Sequence, residues 1–175
     1  TLPQIEQVLM QALHELRTQI ISPMTDELKT DKEEDTHKLF QQHIEAQCRR
    51  LRTLGFTGTP IIRGNLSAMD KSLLPTLQTV CTEILNNIAK HGKPGAFAFI
   101  LSVGPDAVRI FASNLYNAAI NSAPENHYGT ALIQDFAQQH NGTMTINSEN
   151  EEWSLSLTIP LAHQVKLMFS PTEKL

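Results

Sequence analysis

The chain has 175 residues, a formal net charge of −4 and a hydrophobic fraction of 41%. This length and hydrophobic content suit one ordinary domain with a small helical addition, and they exclude global disorder. The excess of acidic side chains and the lack of a dense basic block argue against binding to nucleic acid through its phosphates. Cys48 and Cys81 form no CxxC pair, which excludes a disulfide scaffold and a cysteine zinc site. With no membrane-length apolar run and no signal peptide, we expect a cytoplasmic piece of a longer protein.

The first 56 residues predict a helical hairpin. Apolar residues recur at three- and four-residue steps from Leu2 to Ile20 and again from Leu39 to Leu54, which is typical of amphipathic helices. The polar stretch TDKEEDT at residues 30–36 has no apolar spacing and predicts a connector. Because each predicted helix carries an apolar seam, we expect the hairpin to pack on the rest of the chain or to form a homodimer with a second copy.

From residue 57 the pattern changes to short strands alternating with helices. Gly and Pro signals and apolar runs predict strands at 59–63, 97–103, 108–112, 143–146 and 153–159, and helices at 67–92 and 130–140. The polar stretch from Ser113 to Tyr128 predicts a long loop. These elements predict an α+β fold, a two-layer α/β sandwich with a mixed sheet and helices on one face. The expected regions are the hairpin 1–56, the α/β domain 57–163 and a tail, 164–175.

Three polar residues of the long predicted helix share one face. At about 100° per residue, Glu83, Asn87 and Lys90 fall within roughly 60° of each other, opposite the apolar face. An amide oxygen can bind Mg²⁺, and a lysine can neutralise phosphate oxygens. This face therefore suits a metal–triphosphate ligand. On spacing alone, an ordinary solvated helix face is an equal alternative.

The pattern Glu83-xxx-Asn87-xx-Lys90-His91 resembles the N box of two-component sensor histidine kinases. The likeness to their ATP-binding domain, which belongs to the GHKL superfamily, extends over residues 57–161. It implies the Bergerat (histidine-kinase-like ATPase) fold, with ATP and Mg²⁺ as cofactors. It further implies that Asn87 binds Mg²⁺, that Glu83 activates a water or the acceptor, and that Lys90 and His91 meet phosphate.

A second stretch, HYGTAL at residues 127–132, resembles the second glycine box of the same family. That box opens a helix below the phosphates, and the free N–H groups of a helix N-terminus suit an anion. The resemblance implies nucleotide contacts for Gly129, Thr130, Ala131 and Leu132. Ala131 stands where a second glycine is usual, which adds a methyl group near the phosphates.

The first glycine box of the family, D-x-G-x-G, is missing from this sequence. The predicted strand 108–112 runs directly into SNLYN. Asn114 is the best substitute for the family's aspartate, which accepts a hydrogen bond from the adenine amino group, and Ser113 is the next candidate. An amide can flip and offer its donor instead, so we expect a relaxed base preference.

The stretch HELRT at residues 14–18 resembles a kinase phosphoacceptor box, with His14 as the phosphorylated residue. On the helical wheel His14 lies away from the apolar stripe, as an acceptor must, but an ordinary surface histidine would lie there too. The resemblance implies an enzyme that passes the γ-phosphate of ATP to a histidine and then to a response regulator. Any membrane segment would belong to a region absent from this chain. The missing glycine box favours an alternative, a degenerate relative that acts as a phosphotransfer or docking module.

Overall fold

The computed structural model describes residues 27–116 and 128–161 of the chain. The chain divides into two compact units, residues 1–38 and residues 39–175. Helix α1 spans Glu27–Thr53, so its first part belongs to the first unit and its second part to the second. The predicted helix at Leu2–Ile20, including His14, and the tail 164–175 lie outside the described residues.

The predicted connector at residues 30–36 is wrong, because these residues are helical and belong to α1. Lys and Glu have high helix propensity even where no apolar face is present. One turn of this stretch shows the local bonding: the hydroxyl of Thr36 donates to the carbonyl of Lys32 at 2.8 Å. Apolar periodicity identifies only the part of a helix that packs on something, so it missed this exposed part.

Five strands form one mixed sheet in the order β1-β2-β3-β5-β4. Strand β1 runs parallel to β2, and the other neighbouring pairs are antiparallel. A two-residue turn at Asn150 and Glu151, with φ of 52° and 61°, joins the last two strands; such turns match the twist of a hairpin. The strands are β1 (Pro60–Gly64), β2 (Gly92–Val103), β3 (Ala107–Tyr116), β4 (Thr143–Glu149) and β5 (Glu152–Pro160).

Strand β3 is longer than predicted and includes the first four residues of the predicted loop. Asn114 is paired with Phe97 of β2 and Trp153 of β5, and the backbone N–H of Tyr116 donates to the carbonyl of Glu151 at 2.9 Å. Polar composition suggested a loop, but pairing on both sides holds these residues in the sheet. The rest of the predicted loop, 117–127, lies outside the described residues.

Two further helices pack on the core side of the sheet. Helix α2 spans Leu73–His91 and follows a short 3-10 helix at Leu66–Ala68, and helix α3 spans Tyr128–Gln139. Beyond α3, Asn141 has a φ of 53°, and the N–H of Gly142 donates to the carbonyl of Ala137 at 2.7 Å, a common helix termination. The buried face of α2 consists of Leu73, Leu74, Leu77, Val80, Cys81, Ile84, Leu85 and Ile88.

The second part of α1 shares the hydrophobic core with α2 and the sheet. Its buried side chains are Phe40, Ile44, Cys48 and Leu51. The compact unit therefore begins at Leu39 rather than at residue 57, where the sequence placed the start of the α/β domain. The apolar seam predicted to contact a second copy is mostly covered within this unit. Among its members Leu39 and Leu54 remain exposed.

Both cysteines are buried and unpaired. Burial raises the pKa of the Cys48 thiol from 9.0 to about 12, and it raises the pKa of Cys81 as well. Both thiols therefore stay protonated at neutral pH. Separately, none of the helices that the structure describes is long and apolar enough to cross a membrane.

Candidate functional site

The polar face of α2, called the stripe here, consists of Glu83, Asn87, Lys90 and His91. The N-terminus of α3 lies directly against it. A Cβ atom built on Gly129 would lie 2.8 Å from Asn87 Oδ1 and closer still to Glu83 Oε1. Because real Cβ atoms essentially never approach within 3.0 Å, only glycine fits here without a shift. The fold thus brings together Glu83, Asn87 and Gly129, which the sequence presented as parts of two separate motifs.

The polar side chains of the stripe are half-buried or exposed, and in the described part of the chain they have no protein partner. Glu83, Asn87 and His91 are half-buried and Lys90 is exposed. Within residues 27–116 and 128–161, none of the four makes a side-chain hydrogen bond or an ion pair. Half-buried polar groups usually find a partner. These groups are therefore free to bind a polar ligand.

The first turn of α3 adds backbone donors to the same place. The first N–H groups of a helix have no partner within the helix, and they carry the positive end of its dipole. Thr130 is half-buried, whereas Ala131 and Leu132 are exposed, with Leu132 at 41%. Any contact of Ala131 and Leu132 with an anion at this end would come from the backbone rather than from their side chains.

The oxygen atoms of the stripe suit a magnesium ion. Asn87 offers an amide oxygen and Glu83 a carboxylate, which are hard donors of the kind that Mg²⁺ prefers. In the described part of the chain, no group of three or more His, Cys, Asp or Glu side chains could hold a metal. Mg²⁺ typically binds one or two protein oxygens together with waters and substrate phosphates. The residues present fit that pattern.

Asn114 lies on the core side of β3 and is 4% exposed. Its side-chain Nδ2 donates to the carbonyl of Leu115 at 2.6 Å, and its Oδ1 has no protein partner among the described residues. A Cβ built on Gly92 would lie 2.5 Å from Asn114 Nδ2 and 2.8 Å from Phe56 Cε1. Gly92 and Phe56 thus pack closely around the amide.

Sequence reasoning missed Gly92 and Phe56 as neighbours of the candidate site. The φ of Gly92 is −72°, so its backbone angles do not require glycine. The close approach of the Ile88 carbonyl oxygen and of Asn114 Nδ2 to a built Cβ does. In the sequence, Gly92 directly follows His91 at the end of the predicted helix. A glycine there equally indicates the end of a helix, so it did not point to a close contact.

The commitment of Nδ2 changes what Asn114 can offer a ligand. An amide that donates one N–H to Leu115 cannot flip without losing that bond, which leaves its Oδ1 acceptor and its second N–H for other partners. The relaxed base preference stays a prediction. Ser113 lies on the opposite side of β3, where it pairs with Ala98 and Ser154, so the fold does not bring it to the stripe.

Comparisons with solved structures identify the fold. No family model and no curated protein matches the sequence. The catalytic domain of the histidine kinase ThkA matches with a TM-score of 0.55 and 11% identity, over 71% of this chain and 93% of that one. The Acinetobacter baumannii histidine kinase AdeS matches with a TM-score of 0.55 and 12% identity, over 71% of this chain and 64% of that one.

A blue-light-activated histidine kinase of Erythrobacter litoralis matches with a TM-score of 0.50 and 9% identity, over 71% of this chain and 42% of that one. The chain thus spans less than two thirds of both longer kinases, AdeS and the blue-light-activated protein. The predicted α+β class is confirmed by these matches and by the mixed sheet. This chain has the fold of the catalytic domain of histidine kinases.

Proposed function

We propose that this chain binds Mg-ATP at the site formed by Glu83, Asn87 and Gly129, and that it acts as the catalytic domain of a two-component histidine kinase. The fold supports the class, and one contact carries the site. Gly129, at the start of α3, has no room for a side chain beside Glu83 and Asn87. That contact puts a carboxylate, an amide oxygen and a helix N-terminus within one small region.

Each group at the phosphate end has a distinct task. Asn87 Oδ1 holds the magnesium ion, which neutralises charge on the phosphates when it is bound. Lys90, His91 and the first N–H groups of α3, from Gly129 onward, bind phosphate oxygens. Glu83 accepts a hydrogen bond from the attacking group and positions it, as a general base does.

The base end has a single recognition group in this proposal. Asn114 Oδ1 accepts a hydrogen bond from the amino group of adenine. A neutral acceptor forms a weaker bond than a carboxylate does, because charge-assisted hydrogen bonds are about twice as strong. We expect ATP to bind with moderate affinity and to be preferred over GTP, which has no amino group at the corresponding position.

The phosphate would pass from ATP to a histidine and from there to a response regulator. His14 is the acceptor that the sequence suggests. It remains a prediction, as does a homodimer formed through the apolar seam of residues 2–20. Replacing Leu9 and Leu16 with charged residues should yield monomers if that seam holds the dimer.

A second candidate function is a degenerate relative that docks or relays phosphate without using ATP. The pairing of β3 with β5, which is uninterrupted up to Leu115, favours it. A paired strand stands where the family that the sequence resembles carries a glycine-rich turn, and the amide of Asn114 is bonded to its own neighbour.

A thermal-shift titration separates the two functions. ATP, GTP and ADP are each added with Mg²⁺ and with EDTA, and a ligand at about 100 times its Kd should stabilise the protein by roughly 2.7 kcal/mol. The kinase proposal expects an ATP shift that depends on Mg²⁺. No shift with any nucleotide at millimolar concentration would contradict it and favour the docking module.

A further inference from the structure

The face of the sheet opposite the described helices, called the outer face here, carries an ordered pattern of side chains. Outward residues alternate with inward ones along each strand, and strand pairing aligns them in rows. One row runs across all five strands through Ile61, Ile100, Phe111, Ser156 and Thr145. Its first three members are apolar, although one face of a sheet in a two-layer fold is usually polar.

Large apolar side chains are exposed on this outer face. Ile61 is 41% exposed, Phe111 39% and Leu115 42%. A group of exposed apolar side chains bordered by charged ones is typical of a contact surface. Phe111 lies on the central strand β3, near the middle of the face.

Opposite charges lie at opposite ends of the outer face, and Arg63 and Glu149 occupy diagonally opposed corners. Arg63 and Arg109 share one end row, with Ser102 between them. At the other end Glu149 and Glu152 face each other across the β4–β5 pair, and like charges placed so are destabilising. Across the described ranges, none of these four side chains forms an ion pair.

The dimensions of the outer face allow it to match itself. The six-residue span from Arg109 to Leu115 is about 20 Å, and four strand spacings from β1 to β4 are about 19 Å. Because β1 pairs only with Phe99–Val103, it covers only the Arg109 end of this length. A two-fold axis at right angles to the line from Arg63 to Glu149 exchanges these two residues between the copies. Arg63 of one copy then lies over Glu149 of the other, and the two copies of Phe111 meet near the axis. Sheets packed with strands near right angles are a known arrangement.

We propose that the outer face binds the outer face of a second copy of this chain through a two-fold contact. Its apolar centre is the row of Ile61, Ile100 and Phe111, and its orientation is set by the pairing of Arg63 with Glu149. Such an interface is self-complementary, as two-fold contacts must be. This contact is distinct from the predicted one through residues 2–20 and does not depend on nucleotide binding.

Complementary charge reversal tests this contact. The acidic variant carries Arg63→Glu and Arg109→Glu, and the basic variant carries Glu149→Lys and Glu152→Lys. Each should self-associate roughly tenfold more weakly than the parent in sedimentation velocity, since both charged corners then bear the same sign. An equimolar mixture of the two should recover the parent's association, because opposite charges again face each other.

The control variant, Lys38→Glu with Arg49→Glu, changes the net charge by the same amount as the acidic variant does, at exposed positions of α1. It should associate like the parent. Equal weakening in the control, or no recovery in the mixture, overturns the proposal. A loss of thermal stability in the acidic and basic variants without any change in sedimentation also overturns it, because it would assign the face to another segment of the same chain.

Discussion

The phosphate end and the base end of the candidate site differ in how far the protein satisfies its own polar groups. At the phosphate end, Glu83 and Asn87 are half-buried and have no partner among the described residues. At the base end, Asn114 is buried and donates to the carbonyl of Leu115. In the proposed complex a ligand would meet several groups at the phosphate end, whereas the base would meet a single amide. We therefore expect binding energy and metal dependence to come chiefly from the phosphate end.

The largest expected effect is on turnover, through Glu83→Gln. The amide keeps the shape of the side chain but cannot accept a proton, so phosphate transfer should slow by about 10²–10⁴-fold. Mg-ATP affinity should change by less than about threefold. Release of ADP and labelling of the histidine report the rate. The matched control, Glu34→Gln at an exposed position of α1, should keep the parent rate; unchanged transfer in Glu83→Gln would remove Glu83 from the chemistry.

The contact between α3 and the stripe is broken by Gly129→Ala. The added methyl group would meet the ends of the Glu83 and Asn87 side chains, so these side chains must rotate away from their present positions or the start of α3 must shift. We expect Mg-ATP to bind at least tenfold more weakly, and the free energy of unfolding to fall by less than about 1 kcal/mol if the side chains rotate.

Gly104→Ala is the matched control for that substitution. A Cβ there would meet its nearest atom, the Ala107 carbonyl oxygen, at an ordinary 3.5 Å, so neither quantity should change much. If Gly129→Ala binds Mg-ATP as tightly as the parent does, the phosphates do not lie at this helix end.

The base end is probed by Asn114→Asp. A carboxylate oxygen would replace the donor that bonds the Leu115 carbonyl, so the free energy of unfolding should fall by about 1–3 kcal/mol at pH 7. Burial raises the pKa of the introduced carboxyl in the folded state. The penalty is therefore absent below its unfolded pKa of about 3.9 and grows as the pH rises above that value. Melting curves from pH 4 to pH 8 measure it.

Asn147→Asp, on an exposed position of β4, is the control for this pH series and should show almost no penalty. An Asn114→Asp variant as stable as the parent at pH 7 would mean that the amide donor is not needed. The side chain at the base end would then depend as little on a protein hydrogen bond as the side chains at the phosphate end do.

The smallest expected effect concerns the two thiols. Burial raises the pKa of Cys48 from 9.0 to about 12, so the folded state keeps this thiol protonated where the unfolded state ionises. Its contribution to stability is constant below pH 9 and declines as the pH rises from 9 toward 12. At pH 8 neither cysteine should react with iodoacetamide unless denaturant is present. Rapid alkylation of the native protein would show that the α1–α2 core opens readily.

Spacing in the sequence was sufficient to predict the stripe. Steps of four and three residues put Glu83 and Asn87 on one face of a helix whatever that helix packs against. The same local rule predicted the order and class of most strands, because apolar alternation reflects one buried face. These features depend on residues close together in the chain.

Features that depend on distant residues could not be predicted in the same way. The sequence does not show that Gly129 meets Glu83, that the amide of Asn114 finds the Leu115 carbonyl, or that Phe40 and Ile44 of α1 join the core of the α/β unit. Each contact depends on how whole elements pack. The first part of α1 was missed for the opposite reason, since its sequence TDKEEDT has no apolar period to detect.

A calorimetric titration of Mg-ATP into Asn87→Ala tests the central claim most directly, with Asn86→Ala as its control. Asn86 is the adjacent residue, and its amide oxygen accepts a hydrogen bond from Arg50 at 3.1 Å rather than lying beside Gly129. We predict that Asn87→Ala loses the magnesium-dependent part of binding while its melting temperature stays near that of the parent, and that Asn86→Ala retains this binding. Parent-like, magnesium-dependent affinity in Asn87→Ala would contradict the proposal that this stripe holds the metal and the phosphates.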